Sequence, residues 1–136
     1  MEYSRTELLP GVFLNHLRSD KFKTACISLS LLSQLRRESA SMNALIPYVL
    51  RRGTTRYGDM ESLSRRMDEL YGTAIEPVVR RIGEIQCIGF YGSFPEDEYL
   101  PGGEKLLHSA VELMGEMLLS PNTCLLYTSD AADDKA

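Results

Sequence analysis

The chain predicts an α+β domain, and three features of its 136 residues carry that expectation. Apolar residues alternate with period two between Lys23 and Leu32, they recur at helical spacing between Met42 and Leu50, and a hairpin signal at Gly83-Glu84 separates two further strand-like runs. The resulting order is strand, strand, helix, helix, strand, strand, helix. Such segregated runs favour an antiparallel or mixed sheet with helices on one face.

Val12 to Arg18 reads as the first strand, followed by a Ser19-Asp20-Lys21 turn. In the second strand Ala25, Ile27, Leu29 and Leu31 share one face and Cys26, Ser28, Ser30 and Leu32 the other. A polar linker from Arg36 to Ser41 leads into a helix whose Met42, Leu45, Ile46, Val49 and Leu50 form one apolar face, with Gly53 suited to its C-terminal cap. Asp59 is the expected N-cap of a second helix that buries Met60, Leu63, Met67 and Leu70, pairs Glu61 with Arg65 on its wet side and stops at Gly72. The hairpin runs from Thr73 to Arg81 and returns through Ile85 to Tyr91. Pro95 and Pro101 mark Gly92 to Gly102 as a loop, and a last helix from Gly103 to Leu119 turns Leu107, Ala110, Val111, Met114, Met117 and Leu118 inward.

Composition narrows the function classes. With 43% apolar and 25% charged residues the chain is not a disordered polymer. No stretch approaches the roughly 20 apolar residues of a membrane helix, and the N-terminus lacks a basic segment followed by an apolar run, so a cytoplasmic location without membrane contact is expected. The formal charge of -4 argues against nucleic acid as a partner, and Arg51-Arg52, Arg65-Arg66 and Arg80-Arg81 read as solvated pairs on faces or element ends. Cys26, Cys87 and Cys124 are too scattered for a zinc site or a disulfide framework. His16 and His108 have no metal-binding neighbour at helical spacing, and neither a phosphate-binding glycine loop nor a G-x-S-x-G elbow is present.

The segment from Cys124 to Ala136 breaks the pattern before it: a short apolar burst runs into Ala and Asp with no period. It resembles the translated end of a sequencing adapter and is left out of fold reasoning. The organisation expected is therefore one partial domain over 1–123, the N-terminal piece of a longer protein, and an artefactual tail over 124–136.

Several segments together resemble the N-terminal quarter of the insulinase-like (pitrilysin-type, inverzincin) metallopeptidases, whose fold is that of the mitochondrial processing peptidases. They are Leu9-Pro10-Gly11-Val12 opening a strand, Lys21-Phe22-Lys23-Thr24 entering the next, Ala44 to Thr54, Leu63 to Gly72, and the hairpin beyond. The family's chemistry requires H-x-x-E-H on a helix, two histidines one turn apart holding zinc and a glutamate activating the metal-bound water. Alignment on Arg52-Gly53-Thr54 puts that motif on Ala44-Leu45-Ile46-Pro47-Tyr48. Ala44 has no lone pair, Pro47 cannot accept a proton, and Tyr48 is a poor ligand near neutral pH with an ordinary pKa of about 10. Pro47 also removes a backbone bond to the Asn43 carbonyl, so a helix beginning near Ser41 should bend there, less so one beginning at Asn43.

The resemblance therefore implies a bacterial, non-catalytic half of a paired peptidase, with no catalytic residue, no metal and no cofactor of its own. Its partner would be a zinc-bearing paralogue in a heterodimer, the two enclosing a chamber for a peptide substrate. Two alternatives stand beside this reading: a structural or interaction module with no peptidase role, and an active metallopeptidase with noncanonical ligands.

Overall fold

The structure, a computed structural model, describes residues 1–122; the adapter-like stretch lies outside them. Its elements in chain order are β1 (Glu2–Leu9), β2 (Val12–Arg18), β3 (Thr24–Gln34), α1 (Ala40–Leu50), α2 (Met60–Glu69), β4 (Ala74–Ile82), β5 (Ile85–Pro95), a single 3-10 turn (Asp97–Tyr99) and α3 (Leu106–Leu119). The fold is α+β with antiparallel pairing throughout the described strands. β3, β5 and β4 form one sheet in that order, and β1 and β2 form a separate hairpin.

The register shows why helices cover one face of the three-stranded sheet. Ile27 lies opposite Gly92 and Leu29 opposite Phe90, while Ile75 faces Gly92 and Pro77 faces Phe90, so these side chains share a side. That side carries the core: Ile75, Phe90 and Phe94 pack with Leu63, Met67 and Leu70 of the α2 region and with Leu106, Ala110, Leu113, Met114 and Met117 of α3. The opposite face exposes Cys26, Ser28, Ser30 and Leu32, as the alternation of β3 predicts. Glycine makes the close approach possible at two places on β5. A Cβ at Gly92 would lie 2.7 Å from Met114 Cε, and one at Gly89 would overlap the Leu29 carbonyl oxygen.

The second helix is specified locally. The Asp59 carboxylate accepts from the Ser62 amide at 2.7 Å, and the Asp59 amide donates to Ser62 Oγ at 3.3 Å, closing a capping box. The Ser62 amide first, and the Ser62 side chain second, hold the Asp59 carboxyl below its ordinary pKa. Arg65 pairs with Glu61 at 2.8 Å on the wet face as the spacing predicts.

Several expectations need correction. β1 is a strand where none was read, because EYSRTELL is mostly polar and both of its faces meet water. Leu9-Pro10-Gly11-Val12 is consequently the turn between two strands, with Gly11 at φ 78°. β5 continues through Gly92 to Pro95, since Thr24 to Ile27 offer partners for its whole length. Met60, in the first turn of α2, is exposed. The buried stripe of α3 is Leu106, Ala110, Leu113, Met114 and Met117, while Leu107 and Val111 face water. Apolar residues surround much of this helix, so spacing alone cannot set its rotational phase. Gly53 is not the cap of α1, a place Arg51 takes; a Cβ at Gly53 would lie 3.1 Å from the Gly58 and Tyr57 carbonyl oxygens. It is there for close packing of the loop that follows.

The observed phase of α3 predicts that Leu113→Ala destabilises the fold by about 2–5 kcal/mol. Leu107→Ala should stay within about 0.5 kcal/mol of the parent. Paired urea titrations check this, and equal losses would restore the phase read from spacing.

Candidate functional site

The three positions of interest all lie on α1, and the helix holds them through contacts at both of its ends. At the first turn, buried Gln86 of β5 donates from Nε2 to the Ala40 carbonyl at 2.8 Å and accepts from Asn43 Nδ2 at 3.4 Å. After the last turn, Arg51 Nε donates to the Ile75 carbonyl of β4 at 2.8 Å, and its Nη2 lies 3.6 Å from Met67 Sδ of α2. Burial pulls the Arg51 pKa below its ordinary value, and the charge of Glu76 opposes that shift. Arg51 is not the solvated cation that the sequence suggests but a half-buried clasp between α1, β4 and α2.

α1 is helical across Ala44, Pro47 and Tyr48. The proline lies well inside the helix, which begins at Ala40, and the Asn43 carbonyl receives no amide hydrogen from position 47. The helix nevertheless continues to Leu50, and the Arg51 amide donates to the Pro47 carbonyl at 3.1 Å. Pro47 is the fully buried side chain of α1. It sits against Leu29 and Leu31 of β3, Ile88 and Phe90 of β5 and Leu118 of α3, around a void of about 10 Å³. That is at most the space of one water, and the residues lining it are apolar. Ala44 is half-buried and Tyr48 exposed. Position 47 therefore points into an apolar bed.

The other candidates are not gathered around these positions. Among the described residues no three His, Cys, Asp or Glu side chains come together as a metal site. His16 is on β2 opposite Ser4, while His108, expected to have no such neighbour, has Glu112 one helical turn along α3 at 3.9 Å, a single pair with no third ligand among the described residues. Cys87 is buried, whereas exposed Cys26 accepts a hydrogen bond from Tyr91 Oη at 2.9 Å, which raises the Tyr91 pKa. Cys124 lies outside the described residues. Arg65 and Arg66 form helix pairs with Glu61 and Glu69, and Arg81 donates to the Gly83 carbonyl, so those basic residues are engaged locally.

Met42, Leu45, Ile46, Val49 and Leu50 form the apolar stripe that spacing assigns to the core, yet Met42 is 74% and Leu45 61% exposed. Together the five residues line an open groove of about 370 Å³. α1 meets the sheet through Asn43 and Pro47 and through the half-buried Leu50, the stripe residue that also packs against the core. The stripe was legible in the sequence; the side on which the helix would dock was not, because both flanks are apolar.

No protein-family model matches the chain. A crystal structure of a conserved protein from Enterococcus faecalis V583 matches with a TM-score of 0.84 over 88% of this chain and 28% of that one. At 24% identity that likeness shows the fold alone. In sequence, the chain is similar to a Bacillus subtilis (strain 168) protein named probable inactive metalloprotease YmfF, 32% identical over 111 residues. It is thus a homologue of part of a metalloprotease-like protein named as inactive. The match covers 82% of this chain and 26% of that protein, so the chain spans about a quarter of the relative's length.

The burial of position 47 leads to opposite expectations for two substitutions. Pro47→Ala relieves a helix-interior cost of about 3 kcal/mol and gives up about 1–2 kcal/mol of apolar burial, so stability should rise by about 1 kcal/mol. Pro47→Glu puts a carboxyl group among Leu29, Leu31 and Phe90 without a donor and should lower stability by about 2–4 kcal/mol. Denaturant midpoints of the two variants decide, and a Glu variant as stable as the Ala variant would mean that position 47 faces water.

Proposed function

We propose that the chain is the N-terminal part, over 1–123, of a non-catalytic insulinase-like peptidase homologue that works beside a zinc-bearing paralogue. The observation that carries this reading is the α1 helix itself: Ala44, Pro47 and Tyr48, which the resemblance aligns with the zinc motif, lie on one helix, and Pro47 is packed against the sheet. The similarity to a protein named as an inactive metalloprotease supports it. In this reading the domain has the processing-peptidase-like fold, the subunit is bacterial and cytoplasmic, and the two halves form a heterodimer around a peptide-binding chamber.

The division of labour is the one the resemblance implies. The paralogue supplies metal and base; this subunit supplies walls and backbone groups that hold an extended peptide in place, the contribution of positioning to rate. A sheet edge offers unpaired amides and carbonyls at the spacing of a peptide strand, which suits substrates of varied sequence. A second reading, an interaction module with no peptidase role, draws on the exposed apolar groove of α1.

Mixing the complete protein with its H-x-x-E-H-bearing paralogue should give peptide cleavage that neither shows alone and that a chelator abolishes. Binding of the two without any cleavage would favour the interaction module. Chelator-sensitive cleavage by this subunit alone would establish the active metallopeptidase reading instead.

A further inference from the structure

We infer that the outer edge of β3 and the open groove of α1 are one unfinished surface, completed by a strand and an apolar segment from a continuation of the same polypeptide. The edge comes first. No described strand pairs with β3 on the side away from β5. From Thr24 to Gln34 it contains no charged residue and no proline, the features that keep a solvent-facing edge from recruiting another strand.

The other edge of the same sheet differs. β4 carries Glu76, Pro77, Arg80 and Arg81, and its Ile75 carbonyl is taken by Arg51. One edge is thus equipped for lasting exposure and the other is not.

The groove adjoins the undefended edge. Ile46 and Leu50 line both the groove and the small void against Leu29 and Leu31, so the apolar surface is continuous from α1 to β3. Leu31 is 41% exposed although it lies on the helix-covered face, which leaves the far half of β3 uncovered on that side. A strand added beside β3 would run about 4.8 Å away and turn alternate side chains over Leu31 and Ile46. Met42 and Leu45 then need a further apolar segment stacked on α1.

The occupant is assigned to the same polypeptide because the chain matches only 26% of its Bacillus relative and 28% of the Enterococcus chain, so each extends far beyond the matched region. A covalently linked strand also avoids the entropy cost of association. The inference rests on the proposal that the chain is part of a longer polypeptide, and not on its peptidase role.

Amide hydrogen exchange on the 136-residue chain and on the complete polypeptide tests this. In the complete polypeptide the outward amides of β3 should exchange on the order of 100-fold more slowly than in the shorter chain. Leu45→Lys should leave the melting temperature of the shorter chain unchanged and lower that of the complete one. Equal exchange of β3 in both would overturn the inference. So would a discrete dimer of the shorter chain with β3 already protected, since the occupant would then be a second copy. Slow β3 exchange in a complete polypeptide that supports no cleavage with the paralogue would uphold this inference and refute the peptidase reading.

Discussion

The molecule depends on how closely its other elements can approach β5. Among the described strands it is the one bonded on both sides, to β3 over Thr24 to Gln34 and to β4 over Ala74 to Ile82. Gly89 lets the Leu29 backbone come against it, Gly92 leaves the space that Met114 fills, and Phe90 between them lies at the centre of the core. Side chains at the two glycines would push β3 and α3 away. The three-stranded sheet and its helical layer therefore follow from one strand with small residues at two chosen points.

α1 is fixed to that arrangement rather than contributing to it by propensity. Gln86 holds its first turn, Arg51 its last, and Pro47 fills the bed between Leu29, Leu31 and Phe90. A helix with a proline in its interior is a poor helix by itself; tertiary contacts override that cost. The same contacts bear on chemistry. A helix meant to cradle a metal needs donors one turn apart on a solvated face and a base between them, and here the intermediate position is the most deeply buried point of the element. Packed through Pro47 into that apolar bed, α1 is built as a strut against the sheet.

Legibility in the sequence followed how local each determinant is. β3 alternates cleanly because one of its faces is covered, and α2 announces itself through Asp59, Ser62 and the Glu61–Arg65 pair, all within a few residues of one another. β1 was hidden because a strand exposed on both faces has no period to read. The phase of α3 and the docking side of α1 were hidden for the opposite reason: with apolar residues on more than one flank, only the sheet decides which flank is buried. Ala44, Pro47 and Tyr48 could be located only through Gly53-Thr54, and the structure supplies the physical reason for that pair. Gly53 sits against the Gly58 carbonyl, while Thr54 is buried and its Oγ1 accepts from the Tyr57 amide at 3.0 Å.

The central claim is that α1 holds no metal. Metal analysis of the purified chain, after incubation with excess zinc and gel filtration, tests it most directly. The account predicts that zinc elutes apart from the protein. One zinc per chain that is retained, and that is lost when Tyr48→Phe removes the hydroxyl from the motif, would contradict it.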